Sequence, residues 1–264
     1  MRDRGFLFGY GSAYLEEITY FRPMSSETNK LSIIVPAYNE EKTILDVIGL
    51  LEELVLISNT EKEIIIVNDH SKDQTAELVL HYKEQHPDSP IIFYSQETNQ
   101  GKGAAIHKGI ELASGNILVI QDADLELVPA EINSLLAVFL QAPNRIVYGS
   151  RFLEDKHSKT NFIWHIMGNG FLTKLSNLFS GYRLTDMMTC YKMAPAELLK
   201  SLSLKEKRFG FEPEVTMKLS KRKSYSIHEV PITYIARSKD EGKKISWKDG
   251  VKVIYCIVRY RIAN

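Results

Sequence analysis

The sequence predicts an α/β protein built on a mostly parallel, Rossmann-like sheet with helices on both faces. Short apolar runs of strand length alternate with segments whose apolar residues recur at helical spacing. Five such runs are separated by four helical segments, and strands joined by helical crossovers pair in parallel. With 264 residues, 44% of them apolar, the chain is long enough to bury a core of this kind.

The predicted elements follow in order from these patterns. The predicted strands are 31–35, 63–67, 91–94, 116–120 and 145–149. The helices between them are 41–58, 74–86, 104–113 and 129–140. Further on, we expect a helix from about residue 208, a strand pair over 224–234 and an amphipathic C-terminal helix over 247–262. The chain divides into an N-terminal arm (1–29), a main domain (30–236), and a basic loop with the amphipathic helix (237–264).

Composition and charge exclude several functional classes. The formal net charge is zero, so no global field favours nucleic acid, and we expect no nucleic-acid partner. The two cysteines have no metal-ligand spacing, which favours a reducing compartment. No apolar run approaches the ~18 residues of a membrane span, and the run 6–10 is too short and glycine-broken for a signal peptide. We therefore expect a cytoplasmic protein that is soluble or peripheral to a membrane.

Three acidic residues, Asp122, Asp124 and Glu126, follow the fourth predicted strand at alternate positions. In an extended backbone, residues two apart point the same way, so the three carboxylates are expected to converge and to need a cation among them. Mg²⁺ or Mn²⁺ suits such oxygen ligands, and a bound diphosphate would complete its shell. The alternative is a polar turn before the helix that opens at Pro129.

Polar residues also follow the first two strands, at the edge where open α/β sheets bind ligands. Pro36, Tyr38 and Glu40 follow the first strand, and Asp69 follows the second. A carboxylate such as that of Asp69 accepts hydrogen bonds from a base N–H or a ribose hydroxyl. Helix capping is an alternative explanation for some of these polar residues; Asn39, for example, is expected to cap the first helix. Each loop alone is therefore explained by structure, and only the two loops together predict a nucleoside slot.

A glycine-rich loop, 99–103, opens the third helix and places Lys102 between two glycines. Backbone amides and the helix dipole favour phosphate at such a position. Neither the Walker A pattern nor Gly-x-Gly-x-x-Gly after a first strand is present, which argues against an ATPase and a dehydrogenase.

In this order and spacing, four segments resemble the family 2 glycosyltransferases of the GT-A fold. They are Val35-Pro36-Ala37-Tyr38-Asn39-Glu40, Val67-Asn68-Asp69-His70-Ser71, Asn99-Gln100-Gly101-Lys102-Gly103 and Asp122-Ala123-Asp124. The resemblance is greatest to the branch of dolichyl-phosphate and polyprenyl-phosphate mannose or glucose synthases, and it extends from about residue 31 to the C-terminus.

This resemblance implies roles for the strand-end residues. The nucleoside would be held by Pro36, Tyr38, Glu40 and Asp69. The metal and the donor diphosphate would be held by Asp122, Asp124 and Glu126. Since Glu126 stands where the mannose synthases carry Gln, the identity of the donor stays open.

The same resemblance places the acceptor site in the second half of the chain. Arg151 would grip the acceptor phosphate with its rigid fork of donors, and an ion pair with a carboxylate is the alternative. Asp186 would lie nearest the reacting centre, and Lys192 would supply positive charge. Relatives carry a second arginine near residue 165 that this chain lacks, so that His165 or Lys174 would take its place.

Several features of the second half have two interpretations. The nearly uncharged segment 161–180 is either buried core or a helix at a membrane surface beside a lipid acceptor. Glu212 and Glu214 suit a helix start on dipole grounds, and a structural role explains them equally well. Met188 stands where relatives carry Glu, which either is neutral or alters acceptor choice.

The C-terminal region is basic and amphipathic. The loop 237–245, with Arg237, is expected to fold over the diphosphate when donor binds. The helix 247–262 either packs on the sheet or lies in the plane of a membrane, where each cation near an anionic leaflet contributes about 1 kcal/mol.

We therefore expect a metal-dependent, inverting hexosyltransferase that uses a nucleotide-diphosphate sugar of the GDP-mannose or UDP-glucose type. Its acceptor would be a polyprenyl or dolichyl phosphate at the cytoplasmic face of a membrane, with a membrane subunit as a candidate partner. A glycosyltransferase that builds cell-surface polysaccharide or glycan is one alternative. A non-catalytic nucleotide-sugar-binding protein is the other.

Overall fold

The computed structural model describes residues 28–142, 144–153, 163–236 and 247–263; for 163–167 and 247–248 it describes the backbone alone. Most of the predicted N-terminal arm therefore lies outside the described residues. So does the basic loop with Arg237.

The described residues form seven strands and eight α-helices. The strands are β1 (Lys30–Ala37), β2 (Glu61–Asn68), β3 (Ile91–Ser95), β4 (Ile117–Ile120), β5 (Arg145–Ser150), β6 (Lys192–Pro195) and β7 (Ser226–Pro231). The helices are α1 (Ile44–Glu53), α2 (Thr75–Gln85), α3 (Lys102–Leu112), α4 (Ile132–Phe139), α5 (Ile163–Ser180), α6 (Ala196–Ser201), α7 (Phe211–Leu219) and α8 (Trp247–Ile262). A 3₁₀ turn, Pro129–Glu131, precedes α4.

The strands form one mixed sheet in the order β3-β2-β1-β4-β6-β5-β7. The pairs β1–β2, β1–β4, β2–β3 and β5–β7 are parallel, whereas β6 is antiparallel to both β4 and β5. The predicted mostly parallel sheet is therefore confirmed. The insertion of β6 between β4 and β5 was not predicted, because this strand has only four residues and begins with lysine.

Two local predictions were wrong. The helix predicted over 41–58 ends at Glu53, where the Lys62 ammonium donates to the carbonyl oxygens of Glu52 and Leu54. The strand pair predicted over 224–234 is the single strand β7, followed by an isolated bridge between Tyr234 and Leu127. β7 ends at Pro231, which has no N–H to donate to a neighbouring strand.

Helices cover both faces of the sheet because the central strands are apolar on both sides. On one face, Val35 and Ile66 pack with Val79 of α2 and Leu135 of α4 in one buried cluster. On the other face, the intervening strand residues Ile34 and Ile65 pack in a second buried cluster with side chains of α3, α6, α7 and α8. The helical residues include Ala105, Leu198, Val215 and Ile257. Each fully buried side chain of this size contributes about 1.5–3 kcal/mol.

The C-terminal helix α8 packs against α5 and α7. Val253, Cys256, Ile257 and Tyr260 are buried on its inner side. In the part of the chain that the structure describes, none of the helices has the length and hydropathy to cross a membrane. Because β1, β2, β4 and β5 run the same way, the loops that follow them meet at one edge of the sheet.

Candidate active site

The loops after β1 and β2 are tied to each other. Asn39 adopts a left-handed backbone (φ 56°), and its side-chain oxygen accepts a hydrogen bond from the Lys72 amide at 2.8 Å. In return, the Asn39 amide donates to Ser71 Oγ at 3.0 Å. The suggestion that Asn39 caps α1 was therefore wrong: its side chain holds the neighbouring loop, and α1 has no side-chain cap. The two loops form one surface.

The predicted nucleoside residues lie along this surface. Pro36 is buried in β1 opposite Val67, whereas Tyr38 and Glu40 are partly exposed beyond the strand. Thr43 Oγ1 donates to the carbonyl oxygen of Ala123 at 2.8 Å. The first loop is thereby fixed against the acidic turn after β4.

Asp69 shapes the glycine-rich loop. Its buried carboxylate accepts hydrogen bonds from the amides of Gln100 and Gly101, each at 2.7 Å, and from Gln96 Nε2 at 2.8 Å. A nucleoside contact by Asp69 therefore stays a prediction, since both carboxylate oxygens already have protein donors. In this structure, the hydrogen bonds of Asp69 hold the loop that precedes α3.

The glycines of this loop are required by close packing. A Cβ atom on Gly101, whose φ is 100°, would lie 2.5 Å from the Lys207 carbonyl oxygen. A Cβ atom on Gly103 would lie 2.3 Å from the Glu206 carbonyl oxygen. The segment before α7 thus lies directly against the start of α3, a contact that the sequence did not indicate.

The acidic residues after β4 lie on a turn and not on an extended segment. Leu125 has a positive φ of 59°, and the Glu126 amide donates to Asp124 Oδ1 at 3.1 Å. Among the described residues, no three acidic, histidine or cysteine side chains form a group arranged to hold a metal ion. The turn therefore differs from the strand-like backbone that the prediction assumed, and a metal site at these three carboxylates stays a prediction.

Buried hydrogen bonds fix the start of the turn. The Tyr191 hydroxyl donates to Gln121 Oε1 at 2.5 Å and lies 2.9 Å from the Val128 carbonyl oxygen. Gln121 Nε2 donates in turn to the Asp122 carbonyl oxygen at 3.0 Å. Tyr191, the residue immediately before β6, thereby holds the acidic turn in place.

The first two acidic residues have opposite electrostatic environments. Burial alone would raise the pKa of Asp122, but the Lys102 ammonium, 2.5 Å from Asp122 Oδ1, lowers it. Burial, together with the negative charges of Asp122 and Glu126, raises the pKa of Asp124. A cation beside Asp124 would offset this repulsion, and carboxylate oxygens are the ligands that Mg²⁺ and Mn²⁺ prefer. The donor set therefore fits a divalent metal ion.

Arg151 and Asp186 form a bidentate ion pair at the end of β5. Arg151 Nε lies 2.6 Å from Asp186 Oδ2, and Nη2 lies 2.9 Å from Oδ1. Asn169 of α5 also donates to Asp186 Oδ1 at 3.0 Å. Burial would raise the pKa of Asp186, but Arg151 lowers it. The ion-pair alternative for Arg151 is thus what the structure shows, and Asp186 orients the guanidinium.

Tyr234 connects the acidic turn to this arginine. Its hydroxyl donates to Glu126 Oε2 at 2.8 Å, and the Arg151 guanidinium lies 5.2 Å from the centre of its ring. Sequence analysis missed this residue because no motif surrounds it. The isolated bridge to Leu127 brings it here.

Lys192 does not reach the exposed edge. It is buried, and its ammonium donates to the carbonyl oxygens of Met187, at 3.0 Å, and Thr189. Burial lowers the pKa of Lys192 to about 8. The structure thus gives Lys192 the task of holding the 187–189 loop, and direct contact with an acceptor stays a prediction.

A groove of about 470 Å³ lies between α5 and the segment 182–185, which precedes Asp186. Lys174 of α5, Arg183 and Thr185 are among its lining residues. The loop that carries Asp186 is held by Glu229 of β7, whose carboxylate accepts the amides of Thr185 and Asp186 at 2.8 and 3.0 Å. A phosphate contact by Lys174 stays a prediction, and the side chain of His165 lies outside the described residues.

Sequence analysis also missed Cys190, Asn169 and Glu229. Cys190 Sγ accepts a hydrogen bond from Lys102 at 2.7 Å, next to Asp122. Each of these residues acts through a contact between distant segments, and no local pattern marks such a contact. The only signal was that Cys190 lies between Asp186 and Lys192, two residues that the sequence singled out.

A mostly parallel sheet with an acidic turn, a glycine-rich loop and a strand-end arginine at one edge is the architecture of the GT-A glycosyltransferases. The family model described as "Glycosyl transferase family 2" matches residues 32–202. The chain belongs to glycosyl transferase family 2, which confirms the resemblance of its four motifs.

Two curated relatives match most of the chain. A dolichyl-phosphate β-glucosyltransferase of Trichomonas vaginalis is 31% identical over 252 residues, which cover 88% of this chain and 73% of the relative. A UDP-N-acetylglucosamine–dolichyl-phosphate N-acetylglucosaminyltransferase of Methanococcus voltae is 28% identical over 247 residues, covering 88% of this chain and 96% of the relative.

Among solved structures, glucosyl-3-phosphoglycerate synthase of Mycobacterium tuberculosis has a similar fold. Its complex with Mn²⁺, UDP and phosphoglyceric acid matches 88% of this chain and 78% of its own, with a TM-score of 0.64 and 20% identity. At this identity the likeness establishes the fold alone.

Proposed function

We propose that the protein transfers a hexosyl group from a uridine diphosphate sugar to a dolichyl or polyprenyl phosphate, with inversion at the anomeric carbon. The observation that carries the proposal is the connection, through Tyr234, of the acidic turn to the Arg151–Asp186 pair at one sheet edge. It joins a donor-type site to a group suited to a phosphate acceptor. The names of both curated relatives, which transfer sugars to dolichyl phosphate, support this assignment.

At the donor end, Pro36, Tyr38, Glu40 and Asp69 contribute the nucleoside surface. Asp122 and Asp124 hold Mg²⁺ or Mn²⁺ in this proposal, with Glu126 beside them. When bound, the metal ion neutralises the charge that develops on the departing diphosphate. The solved relative that binds Mn²⁺ together with UDP supports this choice.

At the acceptor end, the Arg151 guanidinium orients the acceptor phosphate. Asp186 keeps the guanidinium in place, so that the phosphate meets a fixed donor and little orientational freedom is left to lose. A phosphate monoester is already anionic near neutral pH, so no strong general base is required. Because the pKa of Asp186 is lowered, we assign Asp186 a positioning role and not that of a base.

The exposed apolar side chains of two packed helices support a peripheral position at the cytoplasmic face of a membrane. They are Phe171 and Leu178 of α5, and Val251, Tyr255, Val258 and Ile262 of α8. Arg259 and Arg261 in the last turn of α8 add positive charge for anionic lipid head groups. A membrane subunit is a further candidate partner for this face.

A donor and acceptor panel tests the proposal. The purified protein is offered UDP-glucose, UDP-N-acetylglucosamine and GDP-mannose, each with a short polyprenyl phosphate and Mg²⁺ or Mn²⁺. Mass spectrometry of the lipid phase is expected to show a glycosylated polyprenyl phosphate with a UDP sugar. Turnover with oligosaccharide acceptors alone would favour an enzyme that builds polysaccharide. Tight binding of the UDP sugar without any turnover would favour a non-catalytic binding protein.

A further inference from the structure

Lys102 interacts with two acidic side chains of the candidate donor site, Asp122 and Glu212. Its ammonium is paired with Asp122 and bonded to Cys190. The carboxylate of Glu212, at the start of α7, also acts on Lys102 electrostatically. The segment 206–208, which precedes α7, packs directly against Gly101 and Gly103, and this contact brings the start of α7 close to the start of α3. The ammonium therefore has a second acidic neighbour besides Asp122.

The Glu212 side chain is not satisfied. It is 5% exposed, and within the described part of the chain its Oε2 atom has no hydrogen-bond partner. Burial raises the pKa of Glu212, although Lys102 and Lys192 both oppose this. A buried, unpaired carboxylate oxygen costs free energy, so its retention next to two lysines calls for an explanation.

The neighbouring Glu214 shows what a purely structural glutamate looks like in this helix. Both of its carboxylate oxygens accept backbone amides of Lys205 or Glu206, and Lys218 pairs with it at 2.7 Å. Glu214 is thus fully used in holding the segment before α7. Glu212, by contrast, keeps its Oε2 atom without a hydrogen-bond partner within the described residues.

We propose that Glu212 is a second acceptor for the Lys102 ammonium, which moves from Asp122 to Glu212 when a metal–diphosphate donor occupies the acidic turn. The inference rests on the proposed function, because it requires Asp122 to bind the metal. A metal ion held by Asp122 would compete with Lys102 for the Asp122 carboxylate, because the two positive charges repel each other. Glu212 lowers the cost of releasing Lys102, and its unpaired oxygen is filled in the donor complex. Glu212 is accordingly a positioning residue.

The test measures Mn²⁺ binding to the intact protein in the presence of UDP, by the electron paramagnetic resonance signal of free Mn²⁺. Glu212→Gln is expected to raise the apparent dissociation constant of Mn²⁺ about fivefold or more, since Lys102 then stays with Asp122. In a Lys102→Met background, Glu212→Gln is expected to have no further effect. A thermal melt of each variant reports whether the fold is retained.

Glu214→Gln is the matched control. It is expected to lower the melting temperature and to leave the Mn²⁺ constant unchanged, because its carboxylate serves the fold alone. An unchanged Mn²⁺ constant in Glu212→Gln, or the same increase with and without Lys102, would overturn the role of Glu212 while leaving the proposed function intact. Absence of Mn²⁺ binding by the unaltered protein would overturn both.

Discussion

Two carboxylates illustrate how individual residues acquire different tasks from similar chemistry. Asp186 is fully buried and committed to Arg151, whereas Asp124 is crowded by like charges and suited to a cation. Asp124 was indicated by its position after a predicted strand, whereas Asp186 was indicated by the family resemblance. The sequence did not indicate their partners, since Arg151 and Asp186 are 35 positions apart and nothing local specifies that they meet.

The ion pair predicts the effect of Asp186→Asn. An amide presents one acceptor oxygen in place of two, so the guanidinium of Arg151 loses its fixed orientation. We expect the transfer rate to fall about 100-fold, because a displacement of about 1 Å in a positioning group can reduce a rate by this factor. Initial rates at varied polyprenyl phosphate are the measurement, with UDP affinity as the control that should stay unchanged. Wild-type rates in this variant would remove Asp186 from the acceptor site.

Glu63 predicts a pH-dependent contribution to stability. Burial alone would raise its pKa, but hydrogen bonds from Lys30, Ser114 and Ser32 lower the pKa of Glu63 to about 2. The folded pKa lies below the unfolded value of about 4.3, so the contribution is present above that value and is lost as the pH falls towards 2.

We therefore expect Glu63→Gln to reduce the free energy of unfolding at pH 7 by about 1–3 kcal/mol. The difference from the unaltered protein should shrink between pH 5 and pH 2. Urea denaturation across this range is the measurement. A difference that does not depend on pH would show that Glu63 acts through packing and not through its charge.

At the scale of elements, the sequence predicted long strands and helices better than their junctions. β4 is an apolar run, and β1 and β2 contain the apolar runs 33–35 and 64–67; burial on both faces is what this composition favours. β6 has only four residues and carries a buried lysine, so it has no such pattern. The sequence also did not indicate that the 206–208 segment packs on the glycine-rich loop, because Lys207 and Gln100, which are in contact, are 107 positions apart.

The close contact at Gly103 predicts that alanine there lowers stability, whereas alanine at an uncrowded helical glycine does not. Gly103→Ala places a Cβ atom 2.3 Å from the Glu206 carbonyl oxygen, and the backbone must move. We expect a loss of about 1–3 kcal/mol in stability and weaker UDP-sugar binding. Gly49→Ala in α1 is the control, since no atom lies within 4 Å of its Cβ position and alanine favours a helix by up to about 1 kcal/mol. Equal unfolding free energies for the two variants would contradict this account of the loop.

At the scale of the whole molecule, α5 and α8 pack together, and each of them exposes apolar side chains. The amphipathic pattern of α8 was predicted, and packing on the core and contact with a membrane were left as alternatives. The structure shows that the helix packs with one side while leaving Val251 55% exposed on the other. The two interpretations therefore concern different faces of the same helix.

Vesicle binding tests the membrane face. Val251→Glu is expected to reduce co-sedimentation with vesicles containing anionic lipid by at least several-fold, because it places a negative charge on the apolar face. Leu80→Glu is the matched control, since Leu80 is 50% exposed on α2, on the opposite face of the sheet. Binding should also weaken as salt is added. Equal loss of binding in both variants would argue against a specific membrane face.

The central claim is that the acidic turn supports sugar transfer to a lipid phosphate. The most direct measurement is the rate at which glycosylated polyprenyl phosphate forms from a UDP sugar in the presence of Mn²⁺. The unaltered protein is compared with Asp124→Ala, and equal melting temperatures of the two show that the fold is retained. We predict product with the unaltered protein and at least a 100-fold lower rate with Asp124→Ala, because the charge that develops on the leaving diphosphate is no longer neutralised. Full activity of Asp124→Ala with this acceptor would contradict the claim.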